Sequence, residues 1–533
     1  MKMAEFETSE KLRGGFYTPW AVANFLATWA TTRAESVLEP SSGDGVFLEA
    51  MSHLAFGPRK VTAVELDSVE ARKSRERLDR LDGQVINMDY LDFDPDTKFD
   101  AIVGNPPFIR YQYLSAHSQL KAKNLYASQN LSFTKRTNAW VPFLIKALTE
   151  LSPGGRLAMV IPAEILNVLH SGAAREFLLR TCERILVLDT DELLFDGTLQ
   201  RIVLVAAIRR QEGSTQKPLL AFEKVTSDDF SKIPLSKIFD LACFTEYDVS
   251  PEKWMDGLLS AEEREAFHLL SANDSVKNFS DIAKVQVGIV TGANSFFVVS
   301  KSIADKYSLY DYLRPIFGRS SHVHGLSYSE TDHLRNLESD LPCLFLDLNG
   351  CSWKDLPLGV RSYLELGESQ GLQMRYKTRI REPWWQVPSV YSTNIGLLKR
   401  AHEAPRLIFN ELEALTTDTA YRITSTLQPT QLTLGWINSL TLLACELNGR
   451  TYGGGVLELV PSEIRKTPIP ILRDTSAFEA VDWALHEGTS IRELLPKQNT
   501  LIASAIGVDR EILDVMEKAR NKMLNRRTRN VGK

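Results

Sequence analysis

Cysteine is scarce: five residues, Cys182, Cys243, Cys343, Cys351 and Cys445, stand far apart with no C-x-x-C pair. That spacing excludes a zinc ribbon or a disulfide framework and suits a reducing cytoplasm. Long apolar runs are missing too. No stretch reaches the roughly twenty apolar residues of a membrane span, and residues 1–15 lack the apolar core of a secretory signal. A cytoplasmic protein with no metal and no membrane partner is expected. Net charge is small: 62 basic against 67 acidic side chains leave −5. The whole chain is therefore no simple basic nucleic-acid binder, and charge must be read locally. The G-x-G-x-x-G fingerprint of dinucleotide sites is absent, which disfavours a dehydrogenase. What remains is 533 residues with 44% hydrophobic and 24% charged content. That is ordinary globular composition, too long for one core, and predicts two or three domains.

What is present is a series of strand ends carrying polar and aromatic residues. Phe99–Gly104 reads as a short buried strand, and Asn105-Pro106-Pro107-Phe108 follows it. Two prolines cannot continue a ladder; they hold the chain extended where open α/β sheets bind ligands. The Asn105 amide oxygen and a proline carbonyl can accept both hydrogens of an exocyclic amine. The Phe108 ring can stack on the flat base that bears the amine. The tetrapeptide also fits a strand-terminating turn with a core phenylalanine.

Upstream, Thr18-Pro19 reads as an N-cap and first helical residue, with Val22, Phe25, Leu26 and Trp29 on one helical face. The preceding loop and the Thr18 hydroxyl suit a carboxylate, though an ordinary capped helix would look the same. Ser36–Leu48 reads as strand, glycine turn and helix, with Gly43 and Gly45 allowing close backbone approach. Glu39 and Asp44 flank the turn, repelling a pyrophosphate and welcoming an amino group. A zwitterionic amino-acid end, as in S-adenosylmethionine, fits better than NAD. Glu65 closes the next strand, where an acid commonly takes ribose hydroxyls. Asp89-Tyr90 ends a third strand. The pair suits an adenine amine and its ring, or serves as a turn residue and a core aromatic. Phe143 lies near the start of the apolar-faced helix that includes Trp140, Leu144 and Leu148, facing either a cofactor or the core. Phe195-Asp196-Gly197 is a turn between two further strands, setting an aromatic near the sheet edge. Seven strands alternating with helices predict a doubly wound α/β domain over residues 1–245.

Residues 101–149 contain no Asp or Glu but carry Arg110, Lys121, Lys123, Lys135, Arg136 and Lys146. With Tyr111, Tyr113, Tyr126 and Phe133 interleaved, the segment reads as a mobile basic loop for phosphates and bases, or as a plain solvated loop. From residue 246 the pattern becomes irregular, and 246–474 reads as a mixed α+β domain. Val285–Asn294 and Phe296–Val299 read as a strand pair about a polar glycine turn. Arg375, Lys377, Arg379 and Arg381 lead into Pro383-Trp384-Trp385, cations and tryptophans suited to phosphates and a groove. Arg406, Asn410 and Gln431 are either base readers or structural hydrogen-bond formers. Residues 475–533 are helical in pattern and end in Lys518, Arg520, Lys522, Arg526, Arg527 and Arg529, a basic tail or a frayed terminus.

The Thr18 segment, the Glu39–Gly45 turn and the N-P-P-F tetrapeptide, in that order and followed by a separate domain, resemble the amino-methylating DNA methyltransferases of the TaqI type. That group acts on the N6 amine of adenine. The resemblance covers residues 12–210 motif by motif and the rest more loosely. Phe108 stands where tyrosine is commoner, which keeps stacking and loses a hydroxyl. The resemblance implies a seven-stranded Rossmann-like S-adenosylmethionine-dependent methyltransferase domain followed by a target-recognition domain.

By position, Thr18, Glu39, Ser41, Gly43, Asp44 and Gly45 would hold the methionine part of the cofactor. Glu65 would take the ribose, and Asp89 with Tyr90 or Phe143 the adenine. Asn105, Pro106, Pro107 and Phe108 would be catalytic, with Phe108 and Phe195 packed on the flipped base. Double-stranded DNA would meet Arg110, Lys135, Arg136, Arg375, Lys377, Arg379, Arg381, Trp384 and Trp385. The implied setting is restriction-modification, beside a separately encoded restriction endonuclease, and one chain with both domains can act as a monomer. No nuclease motif is visible. N4-cytosine methylation shares the chemistry, and a non-catalytic DNA-binding subunit would share the fold. A protein-glutamine methyltransferase shares an N-P-P-Y-like motif but is short.

Overall fold

A computed structural model describes residues 17–55, 57–78, 81–190, 201–452 and 454–528. Phe195, Gly14, Gly15, Phe16 and Arg529 lie outside the described residues. The chain divides into two units, Met1–Leu258 and Leu259–Lys533, and the helices after residue 475 belong to the second.

The first unit is built on a nine-stranded sheet. Its strands are β1 (Ser36–Glu39), β2 (Lys60–Glu65), β3 (Gly83–Asn87), β4 (Phe99–Gly104), β5 (Leu151–Pro162), β6 (Cys182–Thr190), β7 (Ile202–Arg209), β8 (Leu219–Val225) and β9 (Thr245–Glu246). Their order is β3-β2-β1-β4-β5-β7-β6-β8-β9. Pairing is parallel from β3 through β5, and β7 runs antiparallel between β5 and β6. The chain leaves β1 in one direction for β2 and β3 and returns on its other side as β4. That makes a switch point, the crevice where doubly wound sheets take ligands. The seven-stranded expectation falls short by two: β8 adds parallel to β6, and β9 closes the edge. Glu223 and Lys224 interrupt β8, so it lacks the continuous apolar run that betrays a central parallel strand.

Helices α1 (Trp20–Thr31), α2 (Val46–Ser52), α3 (Ser68–Arg77), α4 (Ala116–Ser128) and α5 (Trp140–Glu150) pack on this sheet or beside it. In α1 the spacing holds: Val22, Phe25, Leu26 and Trp29 are all buried. Its N-cap is Pro19 rather than Thr18. The Pro19 carbonyl accepts the Val22 and Ala23 N–H groups at 3.0 and 3.1 Å, and among the described residues Thr18 makes no capping bond. The expected mobile basic loop is ordered. α4 runs through it, Tyr111 and Tyr126 are buried, and Phe133 packs edge-on against both at 5.2 and 5.3 Å. Lys121 pairs with Asp92 at 3.1 Å, and Lys146 turns inward to Glu150 and the Phe93 carbonyl. A few aromatic anchors fix a largely polar segment, so apolar periodicity could not reveal it.

The second unit is mixed α+β, with two four-stranded sheets, a three-stranded one and a two-stranded one among the described residues. The expected strand pair does not form. Ala283–Val287 pairs with Ala420–Ser425, and Val298–Val299 pairs with Leu344–Leu346. Trp384 and Trp385 are only 7% and 8% exposed, so neither ring faces a DNA groove. Both lie in the core with Phe296, Phe297 and Tyr363, and the Trp384 indole N–H donates to Glu368 at 3.0 Å. Burying so much apolar ring area outweighs leaving it in water. Arg381 donates to the Thr291 and Val290 carbonyls at 2.8 and 2.7 Å, a loop clamp rather than a phosphate contact. Arg406, Asn410 and Gln431 likewise spend their donors on backbone carbonyls and are not base readers. Arg375, Lys377 and Arg379 are exposed.

The basic C-terminal stretch is a docked helix, Arg510–Thr528, in which Arg520 and Arg527 are buried. Arg527 grips the buried Glu446 carboxylate in a bidentate pair, both bonds at 2.8 Å. Arg527→Met is expected to destabilise the protein by about 3–5 kcal/mol by leaving Glu446 buried and unpaired. A urea titration reads this directly, and adding Glu446→Gln should recover much of the loss. No helix among the described residues is long and apolar enough to cross a membrane. Among them there is also no cluster of three or more His, Cys, Asp or Glu able to hold a metal ion.

Candidate functional site

A cavity of about 630 Å³ opens at the ends of the strands in the first unit. Thr18, Glu39, Ser41, Gly43, Asp44, Glu65, Asp89, Tyr90, Asn105, Pro107 and Phe143 all line it. Residues read separately along the chain thus converge because they sit at or just past strand ends of one sheet, in the segment leading into α1, or on α5.

The turn after β1 is tied down on several sides. The Ser42 N–H donates to the Val64 carbonyl at 3.0 Å, and the Ser74 hydroxyl donates to the Gly43 carbonyl at 2.8 Å. The Ser41 hydroxyl donates to the Asn105 carbonyl at 3.0 Å, joining this turn to the tetrapeptide after β4. The two glycines differ in role. Gly43, at φ 53°, has nothing within 4 Å of where a Cβ would stand, so the backbone is open to close approach. Gly45 is outside the lining. It is the N-cap of α2 at φ 87°, and a Cβ there would meet the Ser74 Cα at 2.9 Å. Gly45→Ala should cost about 1–3 kcal/mol through this clash and the left-handed backbone, seen as a lower melting temperature.

The electrostatics single out Glu39. It is 1% exposed, and neither carboxylate oxygen has a hydrogen-bond partner among the described residues. Burial, then the nearby Asp44 and Glu65 charges, push its pKa well above the usual carboxylate range. Asp44 lines the cavity with its charge shared: Arg77 pairs with it at 3.0 Å and with Glu49 at 2.7 Å, which ties the turn to the helix that carries Arg77. Glu65 accepts the Gly43 and Asp67 N–H groups, each at 2.8 Å, which fixes its orientation at the cavity wall. Burial raises its pKa against those bonds. Asp89 accepts the Leu91 N–H at 2.9 Å and the Ser118 hydroxyl at 2.6 Å. Tyr90 donates its hydroxyl to Glu150 and lies 5.1 Å from the Phe143 ring. Both rings are packed in the core and line the cavity, so the two readings of each coincide.

Pro106 is buried, and Phe108 is half-buried against the core; neither is in the lining. Arg110, Lys135 and Arg136 are exposed. Sequence reasoning missed Leu66, Met88, Ile109 and Ser118, which also line the cavity. Leu66 had a signal, an apolar residue in a strand-end turn between Glu65 and Asp67. Ile109 had none. It is placed by tertiary pairing, with the Ala139 N–H donating to its carbonyl at 2.7 Å and the Tyr111 N–H to the Thr137 carbonyl at 3.0 Å.

The donor set fits S-adenosylmethionine. No lysine or arginine is among the described lining residues, so a pyrophosphate has no partner. An unpartnered buried carboxylate needs a cationic donor, which the methionine ammonium offers. A second carboxylate and two aromatic rings suit ribose hydroxyls and adenine.

Comparison with known proteins agrees. Residues 54–195 match the Eco57I restriction-modification methylase family, and residues 251–503 match the C-terminal domain of the type II methyltransferase M.Eco57I. The type II methyltransferase M.AccI of Acinetobacter calcoaceticus is 25% identical over 85% of this chain and 84% of its own length. The type II methyltransferase M.XamI of Xanthomonas campestris pv. amaranthicola is 24% identical over 87% of this chain and 86% of its own. Among solved structures, the type IIG restriction endonuclease BpuSI aligns with 98% of this chain and 68% of its own at 14% identity, with a TM-score of 0.43. With a methylase family matched in the first half and a type II methyltransferase domain in the second, the chain belongs to the type II DNA methyltransferases of restriction-modification systems, which draw their methyl group from S-adenosylmethionine.

Proposed function

We propose that this enzyme methylates the N6 amine of an adenine flipped out of double-stranded DNA. The observation that carries the reading is that Asn105, an amine acceptor, shares one cavity with the unpartnered Glu39 and is bonded through Ser41 to the cofactor turn. Glu39 holds the methionine ammonium and Thr18 lies at its carboxylate. Glu65 takes the ribose hydroxyls, and Asp89, Tyr90 and Phe143 hold the adenine.

S-adenosylmethionine, when bound, supplies the methyl group as a sulfonium electrophile. An aromatic amine is a poor nucleophile because its lone pair is delocalised into the ring. The Asn105 amide oxygen and the Pro106 carbonyl accept both amine hydrogens, which favours a pyramidal nitrogen and turns the pair toward the methyl. Pro106 and Pro107 keep that geometry stiff. The proton leaves to water once the nitrogen has become cationic, so alignment and charge complementarity supply most of the rate. Flipping costs a few kcal/mol, and stacking on Phe108 and Phe195, about 1–3 kcal/mol per base, offsets much of it. Arg110, Lys135 and Arg136 meet phosphates, as do Arg375, Lys377 and Arg379. The enzyme acts as a monomer that protects host DNA beside a separate endonuclease.

The test is incubation with S-adenosylmethionine and unmethylated DNA, followed by mass spectrometry of the nucleosides. N6-methyladenine is the expected product. N4-methylcytosine would keep the amine chemistry and overturn the base; no methylated base from folded protein would overturn the reading.

A further inference from the structure

The loop at residues 374–380 in the second unit is unusual for a soluble surface. Met374, Tyr376 and Ile380 are 72%, 67% and 70% exposed, three large apolar side chains within seven residues. Arg375, Lys377 and Arg379 alternate with them, and no acid occurs between Gly371 and Arg381. The loop is held rigidly from behind. Thr378 is fully buried, and its hydroxyl donates to the Leu372 and Arg375 carbonyls. Arg381 clamps the Val290 and Thr291 carbonyls, and the backbone at Gly292 packs so closely that a Cβ there would stand 2.8 Å from the Lys377 Cβ. Lys377 and Arg379 flank the Tyr376 ring at 5.4 and 5.5 Å.

We propose that this loop is a wedge: Tyr376, supported by Met374 and Ile380, enters the base stack of the DNA while Arg375, Lys377 and Arg379 hold the phosphates on either side. The inference rests on the reading of the enzyme as a base-flipping DNA methyltransferase and adds the element that opens the duplex. Apolar wedges between base steps unstack and kink DNA, and the cost is returned by the contacts made. An aromatic ring in the stack is worth about 1–3 kcal/mol and is tolerant of sequence. Three exposed cations with no acid interleaved among them favour a polyanion over a protein surface, and the fixed stem means that little ordering entropy is lost on insertion.

The test uses the full-length enzyme, bacteriophage λ DNA free of methylation, and radiolabelled S-adenosylmethionine. Tyr376→Ala should lower the methylation rate at saturating DNA by about tenfold with affinity nearly unchanged, and Tyr376→Trp should restore it. Nicked plasmid ligated in the presence of wild type should show unwinding that Tyr376→Ala loses. The triple variant Arg375→Ala/Lys377→Ala/Arg379→Ala should bind λ DNA more weakly and reduce the slope of log affinity against log salt by about 2–3. Both variants lie on the surface and should melt as wild type does. Wild-type methylation and unwinding in Tyr376→Ala would overturn the wedge. Undiminished DNA binding in the triple variant as well would assign the patch to a protein partner. Wild type that binds and unwinds DNA but methylates none would sink the methyltransferase reading and leave the wedge standing.

Discussion

Asn105→Ala is expected to lower the methylation rate by about 10²–10³-fold, the scale of losing one preorganised polar contact to the reacting group, while S-adenosylmethionine and DNA should still bind. The side chain lines the cavity, and its backbone carbonyl accepts the Ser41 hydroxyl at 3.0 Å. Alanine keeps that backbone bond and the two stiff prolines behind it, so the cofactor turn stays in place. On the proposed mechanism, what is lost is one of two acceptors on the target amine. The lone pair then remains delocalised in the base, and the effect falls on the chemical step rather than on affinity. Single-turnover kinetics with saturating DNA and cofactor, beside separate binding titrations, distinguish these outcomes. An unchanged single-turnover rate would remove Asn105 from the mechanism.

Glu39→Gln separates binding from stability in opposite directions. The buried Glu39 carboxyl has a pKa raised by desolvation and by Asp44 and Glu65. Below the ordinary carboxylate range it is protonated in both folded and unfolded chains. As pH rises, the unfolded chain gives up this proton first, so the folded state grows less stable until the raised pKa has been passed. Glutamine removes that penalty. Cofactor-free Glu39→Gln should therefore melt above wild type near pH 8, and the difference should shrink as pH falls toward the ordinary carboxylate range.

Affinity moves the other way. If Glu39 holds the ammonium of S-adenosylmethionine as proposed, the contact needs the ionised carboxylate, so wild-type affinity should rise with pH until the ammonium itself deprotonates. Truncating one partner of a buried charge pair costs about 2–5 kcal/mol, or roughly 30-fold and more in affinity. Calorimetric titration of both proteins across this pH range checks it. Equal affinity of the two proteins would place the ammonium elsewhere.

Wherever a motif was local, it could be read from the chain alone. The N-P-P-F tetrapeptide, the glycine turn after β1 and the acids ending β2 and β3 each follow a short strand. Strand, turn and helix signals span only a few residues. The α1 face was equally plain, because helical spacing is a property of neighbours in sequence. The doubly wound core followed from that alternation, while β8, with its charges, and α4, with its polar surface, left no periodic trace.

Which polar groups remain available for a ligand was decided only by the tertiary structure. Glu39 and Asp44 look alike in sequence and both line the cavity, yet Arg77, brought by α3, pairs with Asp44, while Glu39 has no hydrogen-bond partner among the described residues. Gly43 and Gly45 look alike, yet only Gly45 is pressed against Ser74. Trp384 is covered by Phe296 and Phe297 and Trp385 by Trp353, and Arg381, Arg406, Asn410 and Arg527 are spent on carbonyls or carboxylates distant in sequence. The sequence by itself determined the chemistry each residue can do, together with the strand ends that carry it, because those depend on residue type and near neighbours. The tertiary structure decided which of those groups are free to act, because a buried donor or acceptor must find a partner wherever the fold supplies one.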